Sequence, residues 1–115
     1  MGDSMDFDAY QKLASKTATY GGKDSTYVLM YLSMGLAGES GEVIEKLKKA
    51  VRNDNGIVSE ERKEDLKKEL GDVLWYLSQL ANALGISLAD VAEQNIKKLA
   101  DRAERGVIKS EGDSR

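Results

Sequence analysis

Apolar residues recur every three or four positions along most of the chain, which is the spacing of a helix with a buried face. Breaks rich in Gly, Asn and Asp divide this pattern into four segments. We predict helices over residues 7–20, 25–52, 59–84 and 87–104. No segment sustains the apolar–polar alternation of a strand. The predicted fold class is therefore all-α, a compact four-helix-type bundle that forms one domain over residues 1–115.

Residues that favour helix ends mark the boundaries of these segments. Asp6 and Ser59 are expected N-caps of the first and third helices. A capping box over residues 87–90 begins the fourth. Gly21-Gly22 is expected to end the first helix, and Asn53-Asp54-Asn55-Gly56 to end the second.

The second helix carries two apolar rows on roughly opposite sides. The first row is Tyr27, Met30, Met34, Ala37, Gly41, Ile44, Leu47 and Val51, and the second is Leu29, Leu32, Leu36 and Val43. A helix that is apolar on two sides is either central in its domain or shared with another subunit. We therefore expect that the chain is not a monomer and that oligomerisation completes the bundle.

Each of the other helices has one predicted core face. These faces are Phe7, Tyr10, Leu13, Ala14 and Thr17 in the first; Leu66, Leu70, Val73, Leu74, Leu77, Leu80, Ala81 and Leu84 in the third; and Leu88, Val91, Ala92, Ile96, Leu99 and Ala103 in the fourth.

The composition excludes several classes of function. The chain has 17 Lys and Arg against 20 Asp and Glu, a net charge of −3, so we expect neither nucleic acid nor a membrane surface as a partner. Without Cys or His, the chain has no thiol nucleophile and no zinc or ferritin-like di-iron ligand set. Any bound metal must have oxygen ligands, which suit Mg²⁺, Mn²⁺ or Ca²⁺. No apolar run approaches membrane-spanning length, and we expect a cytoplasmic protein.

The two ends of the chain are expected to lie outside the folded bundle. Residues 1–5, with a second methionine at Met5, are interpreted as a remnant of protein production or a disordered end. Residues 106–115 are small, polar and charged, and we predict a flexible tail.

Two pairs of acidic residues are the main candidates for chemistry. Glu39 and Glu42 lie one turn apart on the second helix, and Glu69 and Asp72 have the same spacing on the third. If these helices pack antiparallel, four carboxylates converge. Such a cluster is self-repelling, and a divalent cation such as Mg²⁺ relieves the repulsion. The alternative is that both pairs lie on solvated helix faces.

The neighbourhood of the first pair favours a site. Glu39 interrupts the second apolar row, where an uncompensated carboxylate is costly. Gly35, Gly38 and Gly41 each cost about 0.5–1 kcal/mol within a helix relative to Ala. We predict that Gly35 and Gly38 leave room for a metal, a ligand or another backbone.

The fourth helix contributes polar residues along one face. Asn95 falls inside its apolar stripe, where a buried amide either caps a neighbouring helix or contacts a base or ribose. Lys98 and Arg102 either neutralise phosphate oxygens or form a solvated basic face. The remaining basic residues of the second and third helices, Lys46 among them, are expected to be solvated.

Two aromatic residues of the third helix have expected positions beside this site. Trp75 is expected to pack against the first helix or another subunit. Tyr76, one turn after Asp72, is expected to border a pocket.

These motifs together resemble the MazG-like all-α nucleoside triphosphate pyrophosphohydrolases, in particular their short single-domain bacterial and phage members. The resemblance rests on Glu39-x-x-Glu42 and Glu69-x-x-Asp72 with their surroundings, and on Asn95-x-x-Lys98-Leu99-x-x-Arg102. One departure is Gly38, where the family commonly has a Glu.

The resemblance implies hydrolysis of a (d)NTP to (d)NMP and pyrophosphate with Mg²⁺, or Mn²⁺ as a substitute, in the clearance of nucleotides. It implies that Glu39, Glu42, Glu69 and Asp72 hold the metal and that Asn95, Lys98 and Arg102 contact the nucleotide. It also implies a homodimer or a homotetramer. Glu39 or Glu42 is the expected general base. Two alternatives are the same fold acting on a modified or signalling nucleotide, and a helical interaction module without catalysis. The sequence does not define the base or sugar preference.

Overall fold

The computed structural model describes residues 4–106 of the 115-residue chain. The element order is α1 (Phe7–Ser15), α2 (Ser25–Asp54), α3 (Glu60–Ala83) and α4 (Leu88–Arg105), with no strand among the described residues. The predicted all-α fold with four helices is confirmed. No helix in this part of the chain is long and apolar enough to span a membrane. The predictions for residues 1–3 and for the tail beyond Gly106 fall outside the described range.

An antiparallel hairpin of α2 and α3 is the largest unit of the fold. At the turn, the Arg62 side chain donates to Asp54 over 2.6 Å. Farther from the turn, Lys46 of α2 faces Glu69 of α3. The connection reverses the chain at Asn55, whose φ of 56° is left-handed. The predicted stop over residues 53–56 is therefore confirmed, with Asn55 as the C-cap.

Side-chain oxygens cap the N-terminus of every helix as the sequence indicates. The Asp6 carboxylate accepts from the Ala9 amide, and the Ser59 hydroxyl accepts from the Arg62 amide. The Ser87 hydroxyl accepts from the Asp90 amide, so the serine of the predicted capping box acts as expected. These caps satisfy amides that have no partner inside the helix.

The first helix is shorter than predicted. It ends at Ser15 rather than near Tyr20, six positions before the glycine pair expected to end it. The Thr17 hydroxyl donates to the carbonyl of Ala14 and accepts from the Trp75 indole. The Tyr20 hydroxyl donates to Gln79 over 2.6 Å. These bonds to α3 hold the segment after Ser15 in a non-helical path.

The side chain of Gln11 links α1 to α3 and to the start of α4. The apolar pattern of the sequence did not predict this contact. The amide nitrogen of Gln11 donates to the carbonyl of Ile86 over 2.9 Å, and its amide oxygen accepts from the Leu88 amide over 2.9 Å. The side chain is buried, so both of its polar ends need these partners. Asp8, one turn earlier, accepts from the Ser87 hydroxyl and the Ala89 amide. The start of α4 is thus fixed to α1 by hydrogen bonds.

Much of the apolar surface predicted for the core is exposed in the single chain. The buried apolar side chains among the described residues are Ala14, Leu32, Ala50, Ala81 and Leu88. On α3, the fully buried residues include Ser78 and Gln79, whereas Leu70 and Leu84 of the predicted core row are each 54% exposed. The predicted core face of α3 is therefore wrong in part. The cause is the polar attachment of α1, which covers a different side of α3.

The two apolar rows of α2 have different environments. Leu32 of the second row is fully buried, and Leu29, Leu36 and Val43 are half-buried. Every residue of the first row is exposed, and Val51 reaches 68%. Among the described helices, α3 is the one that contacts α2. Within residues 4–106, α2 therefore does not occupy a central position in the bundle.

The helical glycines of α2 differ in what surrounds them. A Cβ atom on Gly35 would collide with the ring of Tyr76, whereas one on Gly38 or Gly41 would meet no atom within 4 Å. Gly35 therefore allows close contact between α2 and α3, but the group that occupies the space is the Tyr76 ring and not the metal, ligand or backbone that was predicted. Gly38 borders open space.

This difference predicts opposite effects of two alanine substitutions. We expect Gly35→Ala to lower the free energy of unfolding by about 1–3 kcal/mol because the Tyr76 ring must move. We expect the matched control, Gly38→Ala, to raise it by about 0.5–1 kcal/mol through helix propensity. Urea unfolding at fixed protein concentration measures both. Equal stabilisation by the two substitutions would contradict the packing described here.

Candidate functional site

Three of the four predicted carboxylates meet across the α2–α3 seam. One oxygen each from Glu39, Glu69 and Asp72 lies within 4.8 Å of the other two. Glu39 and Glu69 are half-buried, and Asp72 is exposed. Glu42 is exposed and lies outside this group. The antiparallel pairing of the helices therefore produces the acidic cluster that the spacing predicts, with three members in contact range.

The electrostatics of the cluster concentrate on Glu39. Partial burial raises the pKa of its carboxyl above the ordinary value, and the nearby charges of Asp72, Glu69 and Glu42 raise the pKa further. The effect of Glu42 shows that its charge is close enough to act on Glu39. Both causes disfavour the ionised form. A cation between these carboxylates would remove the repulsion.

Aromatic residues and the segment after α1 form the walls around the cluster. A concavity of about 370 Å³ is lined by Thr17, Glu39, Asp72, Trp75 and Tyr76. The Trp75 indole is held by its 2.8 Å bond to the Thr17 hydroxyl and meets the Tyr76 ring edge-on at 5.0 Å. The prediction that Tyr76 borders a pocket is confirmed, and Trp75 does pack against the segment that follows α1. The sequence did not indicate Thr17 as a pocket residue.

Tyrosine side chains continue from this wall along α2. The ring of Tyr31 lies 6.1 Å from that of Tyr76 and stacks on that of Tyr27 at the same distance. A hydrogen bond with Tyr31 raises the pKa of the Tyr76 hydroxyl, and burial adds to the effect. On the other side of the cluster, burial and then the charge of Asp72 raise the pKa of Tyr10. These phenols therefore stay protonated at neutral pH and can donate hydrogen bonds.

Lys46 lies in the seam, and its assignment to a solvated face is wrong. Its ammonium is 3.7 Å from a Glu69 oxygen and 3.8 Å from an Asp65 oxygen, and the side chain is 31% exposed. Lys46 is two turns beyond Glu39 and so lies on the same side of α2. The apolar periodicity does not indicate this position for Lys46. Pairing the charged residues of α2 with those opposite them on an antiparallel α3 would have predicted it.

The predicted nucleotide residues of α4 lie elsewhere on the chain. Asn95 and Lys98 line a separate concavity of about 460 Å³ together with Ile86, Asp90, Val91 and Gln94, and none of these residues lines the carboxylate concavity. Asn95 is exposed, so its expected burial is wrong. The apolar neighbours predicted around it, Val91 and Leu99, are themselves 40% and 41% exposed. Arg102 is nearly fully buried.

The donor set fits an oxygen-preferring divalent cation. Three carboxylates within reach of one another supply hard anionic ligands, and their mutual repulsion favours an ion of charge +2. Mg²⁺ commonly uses one or two carboxylates together with water and substrate phosphates. Glu39, Glu69 and Asp72 are the residues that would hold such an ion.

The raised pKa of Glu39 predicts that the free energy of unfolding of the metal-free protein depends on pH. Between the ordinary value of 4.5 and the raised value, the folded state binds more protons than the unfolded state, so stability falls as pH rises through this window. We expect Glu39→Gln in EDTA at pH 7 to melt about 2–4 °C above the wild type. At pH 4, where Glu39 is protonated in both states, the difference should vanish. Glu45→Gln, at an exposed position six residues away on the same helix, is the matched control. A Glu39→Gln variant that is no more stable than the wild type at pH 7 contradicts the repulsion.

Comparisons with known proteins agree with the motifs. A family model described as "MazG nucleotide pyrophosphohydrolase domain" matches residues 30–107, which include both acidic pairs and the polar residues of α4. The chain is 47% identical over 114 residues to the "Gene 37 protein" of Mycobacterium phage L5, covering 96% of this chain and 100% of the phage protein. A comparison with solved structures gives no match. The chain belongs to the MazG nucleotide pyrophosphohydrolase family.

Proposed function

We propose that the protein is a Mg²⁺-dependent pyrophosphohydrolase that cleaves a nucleoside or deoxynucleoside triphosphate to the monophosphate and pyrophosphate. The observation that carries this proposal is the convergence of Glu39, Glu69 and Asp72 beside an aromatic-lined concavity, in a chain of this family. The cluster offers ligands for a cation, and the concavity of about 370 Å³ places the Trp75 and Tyr76 rings beside it. Clearance of unwanted nucleotides is the role that this reaction would serve.

The reaction adds water to the α-phosphorus and releases pyrophosphate with the α–β bridging oxygen. Glu39, Glu69 and Asp72 would hold a divalent cation, which would supply charge neutralisation at the phosphate oxygens and a lowered pKa of bound water. Glu42, exposed and outside the group of three, is free to accept the proton of the attacking water.

The aromatic wall positions the nucleotide in this proposal. The Trp75 indole is fixed by Thr17 and cannot turn away without losing that hydrogen bond. Tyr76 packs against the backbone of Gly35 and lies next to the carboxylates. Fixed aromatic surfaces of this kind stack on a base or ribose with little loss of side-chain entropy.

Asn95 and Lys98 remain the proposed contacts to the nucleotide, on the basis of their motif. Arg102 is 5% exposed within its own chain, so its expected place on a solvated basic face is wrong and its proposed contact with the nucleotide is dropped. Asn95 and Lys98 line a different concavity from the carboxylates within one chain. We therefore propose that α4 of a second copy brings these groups to the phosphates.

The activity is tested by incubating the protein with each of the eight common NTPs and dNTPs, with Mg²⁺ or EDTA. Products are resolved by anion exchange. We expect monophosphate and pyrophosphate in the presence of Mg²⁺ alone, with one or a few bases preferred. Diphosphate and phosphate would contradict the proposed bond cleavage. If no nucleotide turns over, a panel of modified and signalling nucleotides comes next, and a helical module without catalysis predicts neither turnover nor a Mg²⁺-dependent rise in Tm.

Single substitutions test the proposed roles of these residues as metal ligands and general base. We expect Glu39→Gln and Asp72→Asn to lower kcat by about 10²–10⁴-fold because each removes a ligand charge needed in the transition state. We expect Glu42→Gln to lower kcat by about 10²-fold or more while cation binding is retained, as for the loss of a general base. Glu45→Gln has the same chemistry at an exposed position and should keep wild-type turnover. Wild-type turnover in Glu39→Gln would contradict the assignment.

We also propose that the chain assembles as a homo-oligomer through the first apolar row of α2. Along that helix, large side chains remain exposed in the single chain; they are Tyr27 at 49%, Met30 at 58%, Met34 and Ile44 at 65%, Leu47 at 40% and Val51 at 68%. An exposed apolar stripe over a helix of 30 residues is typical of a helix–helix interface. A homodimer or homotetramer would cover it.

Met34→Glu tests this interface. Since Met34 is 65% exposed, a charge there leaves the single chain intact but must be buried on assembly. We expect the dissociation constant to rise about 100-fold, measured by sedimentation equilibrium or light scattering on a dilution series. Lys48→Glu, a charge change at a position 59% exposed outside the row, should leave assembly unchanged. A wild-type protein that stays monomeric at high concentration would contradict the proposal.

A further inference from the structure

Lys46 is bound to the carboxylate cluster from the side of α2. Its ammonium lies between Glu69, 3.7 Å away, and Asp65, 3.8 Å away. Glu69 is also one of the three carboxylates in mutual contact range, whereas Asp65 is outside that group. One carboxylate therefore belongs to both the cluster and an ion pair.

Other lysines of the hairpin have a different arrangement. Lys48, Lys63 and Lys67 pair with a glutamate three residues earlier on their own helix, and their side chains are 58–72% exposed. Pairs of that kind contribute little and form on any solvated helix face. Lys46 instead crosses from one helix to the other, is 31% exposed, and meets a Glu69 side chain that is 20% exposed. Its position depends on the tertiary fold.

An ammonium and a divalent cation compete for the same oxygens. The Glu69 carboxylate forms an ion pair with the Lys46 ammonium at 3.7 Å. The same carboxylate has an oxygen within 4.8 Å of oxygens of Glu39 and Asp72. Lys46 and an ion of charge +2 at the cluster would repel one another across several ångströms. The lysine therefore has to leave Glu69, or weaken its contact, when a cation binds.

We propose that Lys46 is a built-in counter-cation of this site, and that a divalent cation binds by displacing the ammonium from Glu69. This inference rests on the proposed function, since it concerns the same site. Asp65 is the partner that keeps the displaced ammonium nearby, because it lies 3.8 Å from Nζ and does not belong to the cluster. The exchange lowers the affinity for the free ion, so that tight binding requires the additional oxygens of a triphosphate.

The test measures binding of Mn²⁺ alone, without nucleotide, to the full chain. Electron paramagnetic resonance of free Mn²⁺ gives the dissociation constant at about 0.1 M salt. We expect Lys46→Met to bind Mn²⁺ about threefold to tenfold more tightly than the wild type, which is the fold-change equivalent of the lost repulsion after partial screening. Lys48→Met removes the same net charge beside Glu45, away from the seam, and should bind within twofold of the wild type.

A second measurement separates counter-ion exchange from a structural role. In EDTA, Lys46→Met should have a lower Tm than the wild type because Glu69 loses its neutralising partner. Saturating Mn²⁺ should close that gap. Lys46→Arg keeps the charge and should retain wild-type Mn²⁺ affinity, and it serves as the informative variant if Lys46→Met does not fold.

The outcomes distinguish failure of this inference from failure of the proposed function. Mn²⁺ binding by the wild type with no tightening in Lys46→Met relative to Lys48→Met overturns the exchange and leaves the metal site intact. If Lys46→Met does not fold, the decision falls to Lys46→Arg, and a tightening in that charge-retaining variant likewise overturns the exchange. Absence of Mn²⁺ binding in the wild type and all variants overturns both. Tightening confined to Lys46→Met supports the exchange.

Discussion

The close antiparallel packing of α2 on α3 is the contact on which the fold and the site both depend. Fully buried Leu32 belongs to the second apolar row of α2 and packs between the two helices. The absence of a side chain at Gly35 lets the Tyr76 ring lie against the backbone. The same register brings Glu39 to Asp72. Apolar contact along the hairpin therefore holds together carboxylates that repel one another. A slip of one turn between the helices would separate the acidic group and remove the Gly35 contact together.

Polar bonds, rather than an apolar core, attach the rest of the chain to this hairpin. Gln11 joins α1 to the start of α4, and Gln79 accepts from Tyr20 in the segment between α1 and α2. Buried amides are costly unless each polar atom finds a partner, so these contacts fix one arrangement among many of similar apolar burial. The consequence for the site is direct, because Thr17 and Trp75, which form its wall, are held by this network.

The sequence predicts local features of this fold better than its long-range contacts. Caps at Asp6, Ser59 and Ser87 depend on neighbours three residues away, and the structure contains all three. The meeting of Glu39, Glu69 and Asp72 is a long-range contact, and the local i,i+3 pairs predict it only if the two helices pack antiparallel. The early end of α1 depends on hydrogen bonds to residues about sixty positions later, which no local pattern contains. Burial was predicted from apolar period alone, and Asn95 shows the limit of that prediction. The apolar stripe is present, but no residue within 4–106 covers it at Asn95.

The acidic cluster links folding to ion binding. Glu39 is disfavoured as an anion by its partial burial and by three neighbouring carboxylates. The helices that carry these groups cannot move apart to relieve the repulsion without exposing the second apolar row of α2. In the metal-free state, part of the favourable packing free energy of the hairpin is therefore offset by electrostatic repulsion. A cation that binds the cluster removes this repulsion and so raises the free energy of unfolding. A site built this way is preorganised, because the same contacts that fold the hairpin hold its ligands in place before the cation arrives.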